Sequence, residues 1–407
     1  MTFNKRIITA IATGAVLVNA MAPLALADTV TVSGNGALSN NAVNVTNTQA
    51  TVVNQTNNAN ITNNVNSSAS TGGNSSNFNT GGNSTINAGA ASSVVNVTNA
   101  ANLNKANISC GCSNSGATVN VTGNGAESNN GVGVNNANTV FLNQNNTSNF
   151  DNDINATAST GKNDSSFNTG GSSVIVTGNA TTNVTVNNKA NANLATIGGT
   201  GGNAGGSSVT ISGNGALSDN GVALNQASAV VLNQINDANI DNDVNAKAKT
   251  GDNQSQFNTG GFSGIGTGDA KTNVSVDNLA NFNAADLNCD CTLDGLTVKV
   301  AGNGAESDNG VVADSSSSVF PDQANDASLF NDVFGKAGTG DNDLGFSTGS
   351  VNGDPLIFTG AGTSTTKVNN AGNVNVLDNG HSISLPGNWN LGVNFDLSGF
   401  LSFLNLG

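Results

Sequence analysis

Asn58-Ala59-Asn60-Ile61-Thr62-Asn63-Asn64-Val65-Asn66-Ser67-Ser68-Ala69-Ser70-Thr71 alternates without a slip. One face reads Ala59, Ile61, Asn63, Val65, Ser67, Ala69, Thr71, and the other is entirely Asn, Thr and Ser. The same pattern returns as Phe150, Asn152, Ile154, Ala156, Ala158, Thr160 and as Ala238, Ile240, Asn242, Val244, Ala246, Ala248, Thr250. Period two with β-branched residues on one side is a strand with one buried face. A helix would scatter these apolar residues around its circumference. The alternation predicts an all-β protein.

These strands sit in a larger period. SGNGALSNN starts at Ser33, TGNGAESNN at Thr122, SGNGALSDN at Ser212 and AGNGAESDN at Ala301, so the steps are 89, 90 and 89 residues. A constant step predicts stacked structural units. The expected architecture is an elongated β-solenoid, parallel β-helix-like, over residues 28–375. Its repeats lie near 30–118, 119–208, 209–297 and 298–375.

Thr-Gly pairs punctuate each repeat nine residues apart, at Thr71-Gly72 and Thr80-Gly81, Thr160-Gly161 and Thr169-Gly170, Thr250-Gly251 and Thr259-Gly260, Thr339-Gly340 and Thr348-Gly349. Glycine admits the positive φ of a sharp corner. Corner glycines at Gly213, Gly251, Gly268 and Gly302 are 38, 17 and 34 residues apart. That spacing suggests roughly five short coils per repeat, with four longer coils as the alternative. The small inward residues suit a narrow interior and a long rod.

Asn63, Asn152, Asn242 and Asn331 share one phase, eight residues before the Thr of the first Thr-Gly pair. A buried amide left unbonded costs about 1–3 kcal/mol. Stacked coils avoid that by bonding each Asn to its counterpart in the next coil. A structural ladder is therefore expected there in preference to a ligand site.

Composition narrows the function. The chain carries 26 acidic residues against 11 Lys and Arg, a net charge of −15. Lys5 and Arg6 precede a largely apolar run, Ile7–Pro23, and Ala25-Leu26-Ala27 offers small residues for cleavage. Residues 1–27 read as a secretory signal peptide. Without them no Arg remains. Phosphate recognition draws on clustered Lys and Arg, so nucleic acid is not an expected partner. No later stretch is long and apolar enough to span a membrane. The mature chain is expected to be secreted, extracellular and displayed at a cell surface.

The two ends differ. Between Thr29 and Gly125 the only charged residue is Lys105. Acids accumulate later, and Phe330, Phe334, Pro321 and Pro355 interrupt the fourth repeat. Residues 376–407 contain Trp389, Leu391, Val393, Phe395 and Leu397. This segment reads as a cap on the last coil or as an assembly strand that docks on the next subunit.

Few residues suggest chemistry. Cys110 and Cys112 pair with Gly111 between them, and Cys289 and Cys291 with Asp290 between them. In an exported chain these four are disulfide candidates. With about ten coils between them, the two pairs would stand about 50 Å apart and could not bond to each other. Zinc needs four ligands, and the only His is His381. Asp241, Asp243, Asp341 and Asp343 are the calcium candidates, although they lack the nine-residue recurrence of a calcium β-roll. No other cofactor is expected. No nucleophile motif or phosphate loop is present, so the chain reads as a non-enzyme.

Val231-Leu232-Asn233-Gln234-Ile235-Asn236-Asp237-Ala238-Asn239-Ile240-Asp241-Asn242 resembles the Gln/Asn-punctuated repeats of curlin-type fibre proteins. More broadly, the chain resembles secreted bacterial β-solenoid surface proteins. It departs from the curlin pattern in its long period and its Thr-Gly corners. The resemblance implies a surface fibre, biofilm matrix or adhesin built by self-assembly or with other cell-surface components, and it assigns no site residue. The alternative is a monomeric adhesin or binding module that takes glycans or calcium on outward Asn, Asp and Thr rows.

Overall fold

The computed structural model describes residues 6–9, 15–19, 29–108, 117–198, 207–288, 296–348 and 355–378. Among these the protein is all-β, with parallel strands in stacked sheets. Two short strands, β1 (Arg6–Thr9) and β2 (Ala15–Asn19), precede the first repeat. That repeat forms β3 (Thr29–Ser33), β4 (Asn40–Ser70), β5 (Ser84–Ala88) and β6 (Ala91–Ile108). The second forms β7 (Thr118–Thr122), β8 (Asn129–Ser159), β9 (Ser173–Thr177) and β10 (Ala180–Gly198). The third forms β11 (Ser208–Ser212), β12 (Asp219–Lys249), β13 (Gln254–Gln256), β14 (Ser263–Gly266) and β15 (Ala270–Asn288). The fourth forms β16 (Thr297–Ala301), β17 (Asp308–Gly338), β18 (Asp343–Gly345), β19 (Leu356–Phe358) and β20 (Gly362–Asp378).

Each residue pairs with its counterpart one long repeat away. Asn63 lies beside Asn152, Asn152 beside Asn242 and Asn242 beside Asn331, all in parallel register. One repeat is therefore one complete coil. This corrects the expectation of four or five short coils. The Thr-Gly pairs lie together at a single corner between β4 and β5, and the alternating segment is one uninterrupted strand of 31 residues. At about 3.3 Å per residue that strand spans about 100 Å, whereas the first and last of four layers stand about 15 Å apart. The described layers form the expected parallel β-solenoid, with coils so broad that the four layers make a plate elongated along the strands.

Each coil is flattened into two facing sides. The long strands β4, β8, β12 and β17 make one side. The other side holds two sheets, one of β3, β7, β11 and β16 and one built on β6, β10, β15 and β20. Inward rows meet across a thin core. Val65 faces Val95 and Val97, Ile61 faces Ala101, Ala69 faces Ala91, and Val53 faces Ala106 and Ile108. Val30 and Val32 pack on Val43 and Val45 at the far end. The interior is narrow from face to face, as the small side chains require, but long across the plate.

The corner glycines divide into two kinds. Gly81, Gly170 and Gly260 take positive φ, at 84°, 92° and 84°, as the sequence reading expected. Gly72, Gly161 and Gly251 do not. They are glycine because the layers touch there: a Cβ on Gly161 would lie 1.6 Å from the Gly251 carbonyl oxygen.

Candidate functional site

Two features make up the candidate site: the amide ladders inside the plate, and the sheet edges at which those ladders stop. Asn63 donates through Nδ2 to the Oδ1 of Asn152 at 2.7 Å and to the Oδ1 of Asn99, on the facing strand, at 2.9 Å. Asn99 donates in turn to Asn152 at 2.8 Å and Asn188 at 2.8 Å. The pattern continues through Asn242 and Asn278 to Asn331 and Asn370. Each interior amide thus has one N–H directed along its own column and one across the core. Asn152 and Asn242 are fully buried.

A second staircase, which the sequence reading did not single out, runs through Asn57, Asn104, Asn146, Asn193, Asn236, Asn283 and Asn325. Gln55, Gln144, Gln234 and Gln323 form a third column, bonded at 2.6–2.7 Å. Asn102, Asn191, Asn281 and Asn373 form a fourth, each at positive φ near 60°. Asparagine tolerates that conformation. The signal for all three was simple recurrence at 89–92 residues, hidden because these positions fall among other Asn and Gln.

The ladders have direction. In the buried Asn columns each layer donates to the one after it; the Gln column and the outward columns of Asn143 and Asn149 donate to the one before. The buried Oδ1 of Asn102, in the first layer, has no hydrogen-bond partner, whereas the Oδ1 of Asn191 accepts from Asn102.

The last layer is also incompletely covered. Val298 and Val300 are 45% and 47% exposed, although their column mates Val209 and Ile211 are fully buried. The outer edge of β6 carries β1 and β2 as parallel partners: Arg6 sits beside Val94 and Ala15 beside Leu103. Residues 1–27 were read as a signal peptide; the described part of that segment is strand laid on this edge.

The acidic candidates fall on the surface. Asp153, Asp243 and Asp332 form one outward column. Burial, then the carboxylates of Asp332, Asp153 and Asp241, push the Asp243 carboxyl above the usual carboxylate range. Asp241 lies next to Asp151 on one side and Phe330 on the other. Asp341 is 3.6 Å from the Lys249 ammonium, which also holds Asp252 at 2.6 Å. Asp343 accepts from the Gln256 amide. Among the described residues no group of three or more His, Cys, Asp or Glu is placed to hold a metal ion.

Cys110, Cys112, Cys289 and Cys291 lie outside the described residues, as do His381 and the apolar segment after Asp378. Ile108 and Leu287, at the ends of described strands, occupy one column through Ile197 and are two layers apart, about 10 Å.

One surface row escaped the sequence reading. Phe78, Phe167, Phe257 and Phe346 stack face to face with ring centroids 5.0 Å apart at each step. All four are exposed and all take positive φ. Their signal was a Phe six residues after each corner Gly, a spacing that resembles any other outward position.

The chain matches no protein-family model, no curated protein and no solved structure at a significant level.

Proposed function

We propose that this protein is a secreted structural protein that forms or decorates an extracellular fibre, biofilm matrix or cell-surface layer by end-to-end addition of β-strands. The observation that carries the reading is the pair of parallel edges on the long sheet, β4 at one end and β17 at the other, each 31 residues long and, among the described residues, without a further strand paired to it. Long unprotected edges are templates for another chain. An interface that joins unlike surfaces without closing generates a filament. Negative-stain electron microscopy of the purified chain tests this directly. Fibres with a 4.7–4.8 Å diffraction repeat along the axis are expected, and monodisperse plates at high concentration would sink the reading.

A second reading is a monomeric adhesin that binds glycans on outward rows. It is favoured by the exposed Phe78–Phe346 column, a flat apolar strip beside polar Asn and Ser. A glycan array with wild type and Phe167→Ala separates the two: binding lost in the variant supports an adhesin, and a silent array removes it.

A further inference from the structure

We propose that the binding partner of each end is a second copy of this chain, docked in continuous register so that β17 and β20 of one copy lie beside β4 and β6 of the next. The inference rests on the fibre reading and adds to it the edges, the direction and the register.

Four independent observations converge on this join. The first is hydrogen bonding. The buried Asn columns end with donors in the last layer and acceptors in the first. Continuing the columns places Asn331 over Asn63 and Asn373 over Asn102, which supplies a donor to the buried, unpartnered Oδ1 of Asn102. The second is charge. β17 carries Asp308, Asp314, Asp322, Asp326 and Asp332, and their continuing columns in β4 are Asn40, Thr46, Asn54, Asn58 and Asn64. Every acid of β17 meets an uncharged polar side chain, an amide in four columns and the Thr46 hydroxyl in the fifth. Last layer against last layer would oppose two carboxylate rows, a repulsive pairing. The third is burial: Val298 and Val300 are exposed for want of one more layer. The fourth is that the edge of β6 already accepts a parallel strand, since β1 and β2 lie on it. Pro321 removes one backbone donor from β17, which trims the contact without closing the edge.

Glycine makes the register testable. Gly72, Gly161 and Gly251 each have the next layer's backbone where a Cβ would go, at 1.8, 1.6 and 1.6 Å, whereas Gly340, in the same column, has nothing within 4 Å. At the opposite end Gly125, Gly215 and Gly304 press on the layer before them at 2.2–2.3 Å, and Gly36 has nothing within 4 Å. Gly340 and Gly36 therefore keep a clearance that nothing among the described residues requires. Neither has positive φ.

The experiment uses the chain begun at Asp28, because β1 and β2 occupy part of the edge and every layer is complete without them. Gly340→Ala and Gly36→Ala should each match wild type in circular dichroism and melting temperature yet fail to sediment as fibres. Gly338→Ala should sediment like wild type, because its column holds Lys249, Ser159 and Ser70. Fibres formed equally well by Gly340→Ala or Gly36→Ala would overturn the register while leaving the fibre reading intact; absence of fibres from wild type would overturn the fibre reading itself. A positive test pairs Asn64→Cys with Asp332→Cys in a chain whose four native cysteines are Ser. These positions are three layers apart within one chain, about 14 Å, beyond disulfide reach. At the join they become neighbours, so oxidation should give a ladder of covalent multimers. Dimers from either single variant would indicate a symmetric join and overturn the proposal. A chain ending at Gly380 should give the same ladder, and loss of the ladder there would transfer the contact to the C-terminal segment.

Discussion

Asn63 and Asn152 are 89 residues apart in the chain and 2.7 Å apart through their amides. Around that contact the same geometry recurs in every layer. A parallel ladder of backbone bonds gives the plate cohesion but little preference for register in so polar a chain. The buried amides provide it, because a slip of one residue would turn them out of the core and a slip of two would set Asn63 against Phe150 or Ile154.

Replacing Asn152 tests this. Asn152→Ala leaves the buried N–H groups of Asn63 and Asn99 without acceptors. Each orphaned donor costs about 1–3 kcal/mol, so a loss of about 3 kcal/mol or more is expected in urea denaturation. Asn63→Ala, at the open edge, should lose less. Equal losses at the two positions would argue against the staircase as the source.

Gly161→Ala should be among the most damaging single changes, since its Cβ would fall 1.6 Å from the Gly251 oxygen. Backbone has to move, so the cost should reach or exceed the upper end of the about 1–3 kcal/mol typical of overpacking. Gly338→Ala, which meets nothing within 4 Å, should stay within about 0.5 kcal/mol of wild type. Thermal melts of the two variants decide the matter.

The raised Asp243 carboxyl gives a pH dependence. The folded state holds this proton more tightly than the unfolded chain, so stability falls as pH rises from the usual carboxylate value through the raised one. The melting temperature should therefore increase when the solution is acidified from neutral into that window. Asp243→Asn should melt higher than wild type at pH 7 and show a shallower pH slope. High salt should mimic it in part, because these are surface charges. An unchanged slope in the variant would dismiss the Asp153–Asp243–Asp332 column as its cause.

Phe167 has a stacked ring on each side at 5.0 Å. Phe167→Ala should lose about 1–2 kcal/mol from the two pairs. It keeps φ near 59°, where Ala is strained. Phe167→Gly loses the same stacking and relieves the strain, so it should melt at or above the Ala variant. A Gly variant that melts well below Ala would contradict this account.

The class of object was legible in the chain alone. Strict alternation around Asn63 demanded strands with one buried face, and the 89–90-residue return demanded stacked copies of one unit. The alternation also placed Asn63, Asn152, Asn242 and Asn331 inward, because they keep phase with Ile61 and Val65. The number of coils per unit was decided only by the tertiary structure. A Thr-Gly pair looks the same whether it turns the chain into a new layer or folds a corner within one, and local spacing carries no record of which distant strand becomes the neighbour. The distinction between glycines kept for φ and glycines kept for space also needed the stack. A carbonyl 1.6 Å from an absent Cβ belongs to a residue 90 positions away, so no reading of the local chain reveals it.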